Sequence, residues 1–205
     1  MTKRFKFLPV VAVATSVLAI SMNSWAQSNL PQSVTAEWKW MDVVAFNADP
    51  SLKLPSGTPA LRTLAQALWA KEIENTPLNI FKNDGSRLPS VILLTEFQDG
   101  GTRYTFSIFS AANAPGCIFP GNGAAGMNSQ TRCTMKASAT DLASGKTVTQ
   151  EFPDYCHVYS NDNDAPAKSN HTEVAIDKKK GQVHFRAIQF GKYVPSCQKT
   201  FKYTQ

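Results

Sequence analysis

Four cysteines constrain this chain more than any other feature: Cys117, Cys133, Cys156 and Cys197 all lie in its second half, and what they do depends on the compartment in which the chain folds. The N-terminus argues for an oxidising one. Lys3, Arg4 and Lys6 precede an almost uncharged apolar run from Phe7 to Ile20, and Ser24-Trp25-Ala26 sets small residues three and one positions before Gln27. That is the layout of a cleaved secretory signal. The run is short for a permanent membrane span, and its cations lie on one side only. No Cys follows the expected cut, so a lipid anchor on a new N-terminal Cys is not available. The expected organisation is a signal peptide over 1–26 and a single globular domain over 27–205, exported to the periplasm or secreted.

In that compartment an even number of cysteines is expected to be oxidised. Of the three possible pairings, Cys117–Cys133 with Cys156–Cys197 is preferred, because the first pair brackets a short loop of Gly, Asn, Ala and Ser that a tether would hold. Closing a loop of that size contributes roughly 3 kcal/mol in the chain-entropy description. No two Cys are spaced as C-x₂₋₄-C and no pair of His follows at ligand spacing, so neither a metal nor a cofactor is expected. Three of the 21 Lys and Arg, and none of the 15 Asp and Glu, fall in the signal, so the exported chain carries a charge of +3. That is ordinary solubility chemistry and calls for no nucleic-acid partner.

The hydrophobic pattern predicts an α+β fold: a β-rich domain, mainly antiparallel sheet, with one N-terminal amphipathic helix and two disulfides. Glu37 to Phe46 alternates and then turns apolar, as one strand passing from half-buried to buried. The helix follows: Thr58 caps it, Pro59 supplies a first-turn φ, Leu61, Leu64, Ala65 and Leu68 form its stripe, Trp69 and Ile73 widen it, and Asn75-Thr76-Pro77 stops it. Hairpins are expected from Val91–Phe97 to Thr102–Phe109 around Asp99-Gly100-Gly101, and from Cys133–Thr140 to Lys146–Phe152 around Ala143-Ser144-Gly145. In a third, turning at Lys178–Gly181, Val174 faces Phe185 and Ile176 faces Val183 on one side, while Glu173 faces Arg186 and Ala175 faces His184 on the other. Apolar partners on one face and an opposite-charge pair on the other are what a sheet with one buried side requires. A C-terminal strand is expected near Gln198–Tyr203.

Few residues point to chemistry. Gly121 to Gly126 spells G-x-G-x-x-G, but Pro120 precedes it and a polar stretch follows, so the strand-to-helix setting of a dinucleotide site is missing and a glycine loop is the better reading. Cys156-His157 places a thiol beside an imidazole, yet neighbours in a strand face opposite ways and Cys156 is expected to be oxidised. His171 and His184 do not pair across the third hairpin. Asn161 to Asp164 is rich in oxygen ligands, but the Gly that a calcium loop of the EF type needs is absent from its sixth position. Lys178-Lys179-Lys180 reads as a wetted hairpin tip. Trp38 and Trp40, two apart, share one face of a strand. They are either a binding platform or part of the core, the commoner fate of tryptophan.

The common hydrolase signatures, G-x-S-x-G, H-E-x-x-H and S-x-x-K, are absent. The function expected is therefore a non-enzymatic binding protein of the envelope, such as an inhibitor, an immunity protein or an accessory factor. Its protein partner would be met by the loop 116–131, with Asn122, Met127 and Gln130 as contacts, or by Trp38 and Trp40. The rivals are a small hydrolase of wall glycan or peptide, with carboxylates such as Glu96, Asp154 or Glu173 assembled in space, and a small-ligand carrier. Cleavage after Ala26 is expected to give an envelope-extracted protein whose intact mass equals residues 27–205 less four hydrogens. A mass that retains residues 1–26 would reject the signal.

Overall fold

A computed structural model describes residues 8–9, 37–48, 54–80, 82, 84–111, 117–118, 131–159 and 169–203. These residues form eleven strands and one helix: β1 (Leu8–Pro9), β2 (Lys39–Trp40), β3 (Asp42–Phe46), α1 (Pro59–Glu74), β4 (Ser90–Asp99), β5 (Thr102–Ala111), β6 (Cys117–Ile118), β7 (Arg132–Asp141), β8 (Thr147–Cys156), β9 (His171–Asp177), β10 (Gln182–Gln189) and β11 (Lys192–Lys202). All pairings are antiparallel. One sheet runs β1-β11-β10-β9-β2; the other runs β3-β4-β5-β7, with β8 beyond β7 and β6 continuing the line of β5.

Three layers result. Val174, Val183, Phe185, Phe201 and Tyr203 of the first sheet meet Leu93, Tyr104, Phe106, Ile108, Met135, Ala137, Phe152 and Tyr155 of the second. On the far side of the second sheet, Val44, Phe46, Ile92, Leu94, Phe109 and Ala111 pack against Ala65, Trp69 and Ile73 of α1. The second sheet is thus covered on both faces. That explains why Thr105 and Ser107, which alternate with Tyr104, Phe106 and Ile108, are buried as well. Ser107 is satisfied there by the Trp69 indole N–H, which donates to its Oγ at 2.8 Å.

The helix starts and stops where its sequence says. Thr58 Oγ1 accepts the Leu61 N–H at 3.3 Å, Pro59 occupies the first turn, and Asn75 ends it. Its buried line differs from the stripe that spacing gives: Ala65, Trp69 and Ile73 are buried, whereas Leu61, Leu64 and Leu68 are only partly covered. The backbone leaves helical geometry at Trp69 (φ −130°, ψ 22°).

The stretch 37–46 needs correction. It is not one strand but two, β2 in the first sheet against β9 and β3 in the second against β4. Met41 is the corner: its N–H donates to Thr172 O at 2.9 Å, and its side chain is buried between the sheets. A chain that changes sheets needs one residue apolar enough to enter the core and extended enough to keep its hydrogen bond, and Met41 supplies both.

The third hairpin has the predicted register at each pair: Val174 opposite Phe185, Ile176 opposite Val183, Glu173 opposite Arg186 and Ala175 opposite His184. Gly181 closes its turn at φ 58°, where a Cβ would meet Tyr203 O at 2.8 Å; only glycine fits there. The disulfides are the expected pair, Cys117–Cys133 and Cys156–Cys197. The first joins directly paired residues of β6 and β7. The second ties the end of β8 to β11, one sheet to the other, inside a small cluster with Val158 and Ala187. Just before it, Pro153 and Asp154 form a bulge on the edge strand β8, with Asp154 at φ 58°. An edge is where a strand tolerates a residue without an N–H.

Phe185 is fully buried, so Phe185→Ala should cost about 3–5 kcal/mol in urea unfolding, while Lys179→Ala at the exposed hairpin tip should stay within about 0.5 kcal/mol. Equal, small losses would contradict the register.

Candidate functional site on the outer face of the first sheet

Alternation in β9 and β10 sends Val174, Val183 and Phe185 inward and His171, Glu173, His184 and Arg186 outward. Pairing with β2 adds Trp40 directly opposite Glu173, and Trp38, two residues earlier, shares its face. These side chains form one connected group. The Arg186 guanidinium donates through Nε to Glu173 Oε2. The other carboxylate oxygen, Oε1, lies 3.0 Å from His171 Nε2. The His171 ring stacks on the Trp40 indole with centroids 4.3 Å apart and planes at 25°. Arg186 also sits over the Trp38 ring, 4.0 Å from its centroid. Nearby, the Tyr193 hydroxyl donates to Gln198 Oε1.

Glu173 is buried beneath this group with both oxygens engaged by neighbouring side chains, so its role here is structural. A buried carboxylate of this kind is tolerable only because two partners hold it. The indoles are the accessible part. Trp40 keeps 49 % of its surface exposed although one ring face rests on His171, and the core reading therefore fails for it. His184, in the next row, is hydrogen-bonded through Nδ1 to Thr200 Oγ1 at 2.9 Å, and burial pushes its imidazole below the usual range. The arrangement offers fixed aromatic surface beside a guanidinium, which is chemistry for recognition.

The remaining candidates do not gather. Glu96 follows Leu94 on the helix-facing side of β4 and pairs with Arg103 at 3.6 Å. Asp154 is exposed on the β8 bulge, and Glu173 is on the opposite side of the sandwich from Glu96. Cys156 is oxidised, so it offers His157 no thiol; His157 is buried instead against Val91 O at 3.1 Å. Asn122, Met127 and Gln130, the glycine motif and Asn161–Asp164 lie outside the described residues. Among the described residues no group of three His, Cys, Asp or Glu could hold a metal ion. Sequence reasoning found Trp38, Trp40 and the Glu173–Arg186 pair separately. It missed that β2 pairs with β9 and so joins them beside His171; no local signal carries that pairing.

No family profile matches the chain, nor does any curated protein or solved structure.

His157 carries a testable consequence. Burial lowers its pKa to about 4, so it is neutral in the fold while the unfolded chain takes up a proton near pH 6.5. Stability should therefore fall as pH drops from about 6.5 to about 4, by at most about 3 kcal/mol from this residue, and His157 should add no further loss below that window. His157→Gln, which keeps a donor but does not titrate, should flatten that part of the urea-unfolding profile. An unchanged slope would assign the acid sensitivity elsewhere.

Proposed function

We propose that this chain is an exported, non-enzymatic binding protein that meets a protein partner in the cell envelope, in the manner of an inhibitor, immunity protein or accessory factor, through the outer face of its first sheet. The observation that carries the reading is Trp40: about half exposed, yet held by its stack on His171. A large amphipathic side chain already fixed in place loses little conformational freedom on binding, and Trp with a neighbouring Arg is the usual make-up of an interface centre. The two disulfides suit an oxidising compartment. Among the described residues no helix is long and apolar enough to cross a membrane. The separation of Glu96, Asp154 and Glu173 supports a binding role over hydrolysis. Asn122, Met127 and Gln130 stay in the proposal as further contacts, on a segment closed covalently by Cys117–Cys133.

Trp40→Ala is the direct test, because it removes exposed surface. Replacing Glu173 would instead strand Arg186 and confound binding with stability. Trp40→Ala should weaken capture of the partner from envelope extracts by tenfold or more, roughly the effect of a hot-spot residue, and shift the melting temperature little. Undiminished capture would move the contact surface elsewhere.

A further inference from the structure

Among the described residues every sheet edge but one is closed, short or interrupted. At β3 the Ala45 N–H donates to Pro55 O at 2.8 Å, and the Ala45 carbonyl accepts from Arg62 Nη1 at 2.8 Å. β1, β2 and β6 are each two residues long. β11 carries Pro195, a register shift, and Lys192, Lys199 and Lys202, and its end is paired with Leu8–Pro9. Short length, proline, lysine and irregular pairing are what keep an edge from recruiting another strand. From Thr147 to Phe152, β8 has none of them. It pairs with β7 without a break, reads Thr-Val-Thr-Gln-Glu-Phe, and meets Pro153 only past that stretch. Across the β7–β8 turn the Asp141 N–H donates to Lys146 O at 2.9 Å, and from that pair the ladder alternates. Val148, Gln150 and Phe152 turn their backbone groups to β7; Thr147, Thr149 and Glu151 turn theirs to the open edge. The hydroxyls agree, since Thr140 and Thr147, and Ser138 and Thr149, approach to 2.9 Å, as side chains do in the pairs without backbone bonds. Thr147, Thr149 and Glu151 are exposed, and among the described residues nothing bonds to their outward N–H or C=O.

We infer that this edge takes a second copy of the chain: two β8 strands pair antiparallel about a two-fold axis through Thr149 and join the two second sheets into one. The inference is independent of the binding reading above and uses no residue of the indole group. The outward groups select the register. With the axis at Thr149, Thr149 meets its own copy and Thr147 meets Glu151 of the second copy, and each pair exchanges two hydrogen bonds. An axis at Gln150 sets Thr147 against Pro153, which has no N–H. An axis at Val148 sets Glu151 against Gly145 in the turn. The chosen register also suits the side chains. Glu151, the one charged residue from Thr147 to Phe152, faces a threonine and not its own copy. The two Glu151 residues are then about 14 Å apart along the strands, past the Debye length of roughly 10 Å at 0.1 M salt. The Ser138–Thr149 hydroxyl row continues across the axis into its own copy, and threonine opposite threonine is a favourable cross-strand pair. Such pairing consumes both open edges, so the assembly closes at two copies.

The test uses the chain purified with its disulfides intact. Sedimentation velocity between about 1 and 500 µM should show a reversible shift towards twice the monomer mass, since a contact of one strand edge belongs to the small, transient class. Amide exchange followed by NMR should slow about tenfold or more at Thr147, Thr149 and Glu151 between the dilute and the concentrated end, because those N–H groups gain acceptors only in the dimer. Thr149→Lys sets two ammonium groups at the axis and should weaken association by about tenfold or more with little change in melting temperature. Thr149→Ala, which keeps the backbone bonds, should associate within about threefold of wild type. A monomer throughout that range overturns the inference. So does a dimer in which those amides exchange at an unchanged rate, or a folded Thr149→Lys that associates like wild type. Association lost in Trp40→Ala and kept in Thr149→Lys would overturn it in favour of a contact through the indole face. If Thr149→Lys does not fold, the exchange rates of the wild type decide alone.

Discussion

The rest of the structure depends on a layer of aromatic rings between the two sheets. Phe106 of β5 lies 5.3 Å from Phe185 of β10 and 6.1 Å from Phe201 of β11, and Phe185 and Phe201 are 5.6 Å apart. Tyr104 meets Tyr203 at 4.6 Å, Phe152 meets Phe201 at 4.8 Å, and Tyr155 meets Phe185 at 5.7 Å. The planes cross at 43° to 80°, the tilted geometry that ring quadrupoles prefer, and each such contact adds about 0.5–1.5 kcal/mol to ordinary area burial. Because side chains alternate, locking Val174, Val183 and Phe185 into this layer leaves β9 and β10 no choice about their other face. A slip of one residue would drive Glu173 and Arg186 into the rings.

The clasps around that layer are polar and covalent. The Tyr155 hydroxyl donates to Cys197 O at 2.9 Å, beside the disulfide that joins β8 to β11. At the other end Tyr203 donates to Asp99 Oδ2 at 3.0 Å, so the end of the first sheet is held to the β4–β5 turn of the second. On the helix side Lys136 reaches from β7 under α1, donating to Leu68 O at 3.0 Å and to Glu72 Oε1 at 2.7 Å while lying over the Trp69 ring. A lysine placed this way fixes the helix along the sheet as well as against it. Both faces of the second sheet are therefore spoken for, and among the described residues only the first sheet has a broad face with no further layer on it.

That open face is where the indoles lie, and its order comes from charge. Arg186, Glu173 and His171 form a chain in which the central carboxylate, kept from water, has a donor on each oxygen; the two outer members then each pack against a tryptophan. The proposed recognition surface is thus centred on a sheet, so the geometry of its indoles is inherited from the aromatic core beneath it.

Local pattern in the sequence determined a great deal: the limits of the helix, the two disulfide partners, the hairpin turns, and the β9–β10 register residue by residue. These follow from short-range rules, namely the missing N–H of proline, the φ demanded at Gly181, period-two alternation, and opposite charges that face each other across a turn. What only the tertiary structure decided is whatever joins segments far apart in the chain. Nothing in 37–46 announces that Met41 leaves one sheet for another, since a sheet change alters no local propensity. Nor does the spacing of Trp38 and Trp40 distinguish core from surface, because both indoles share a face whichever way that face looks. Their exposure was settled when β2 paired with β9, some 130 residues later in the sequence, and laid them beside His171 and Arg186. Short-range chemistry wrote the strands; the burial of the aromatic layer chose which side of them would meet the solvent.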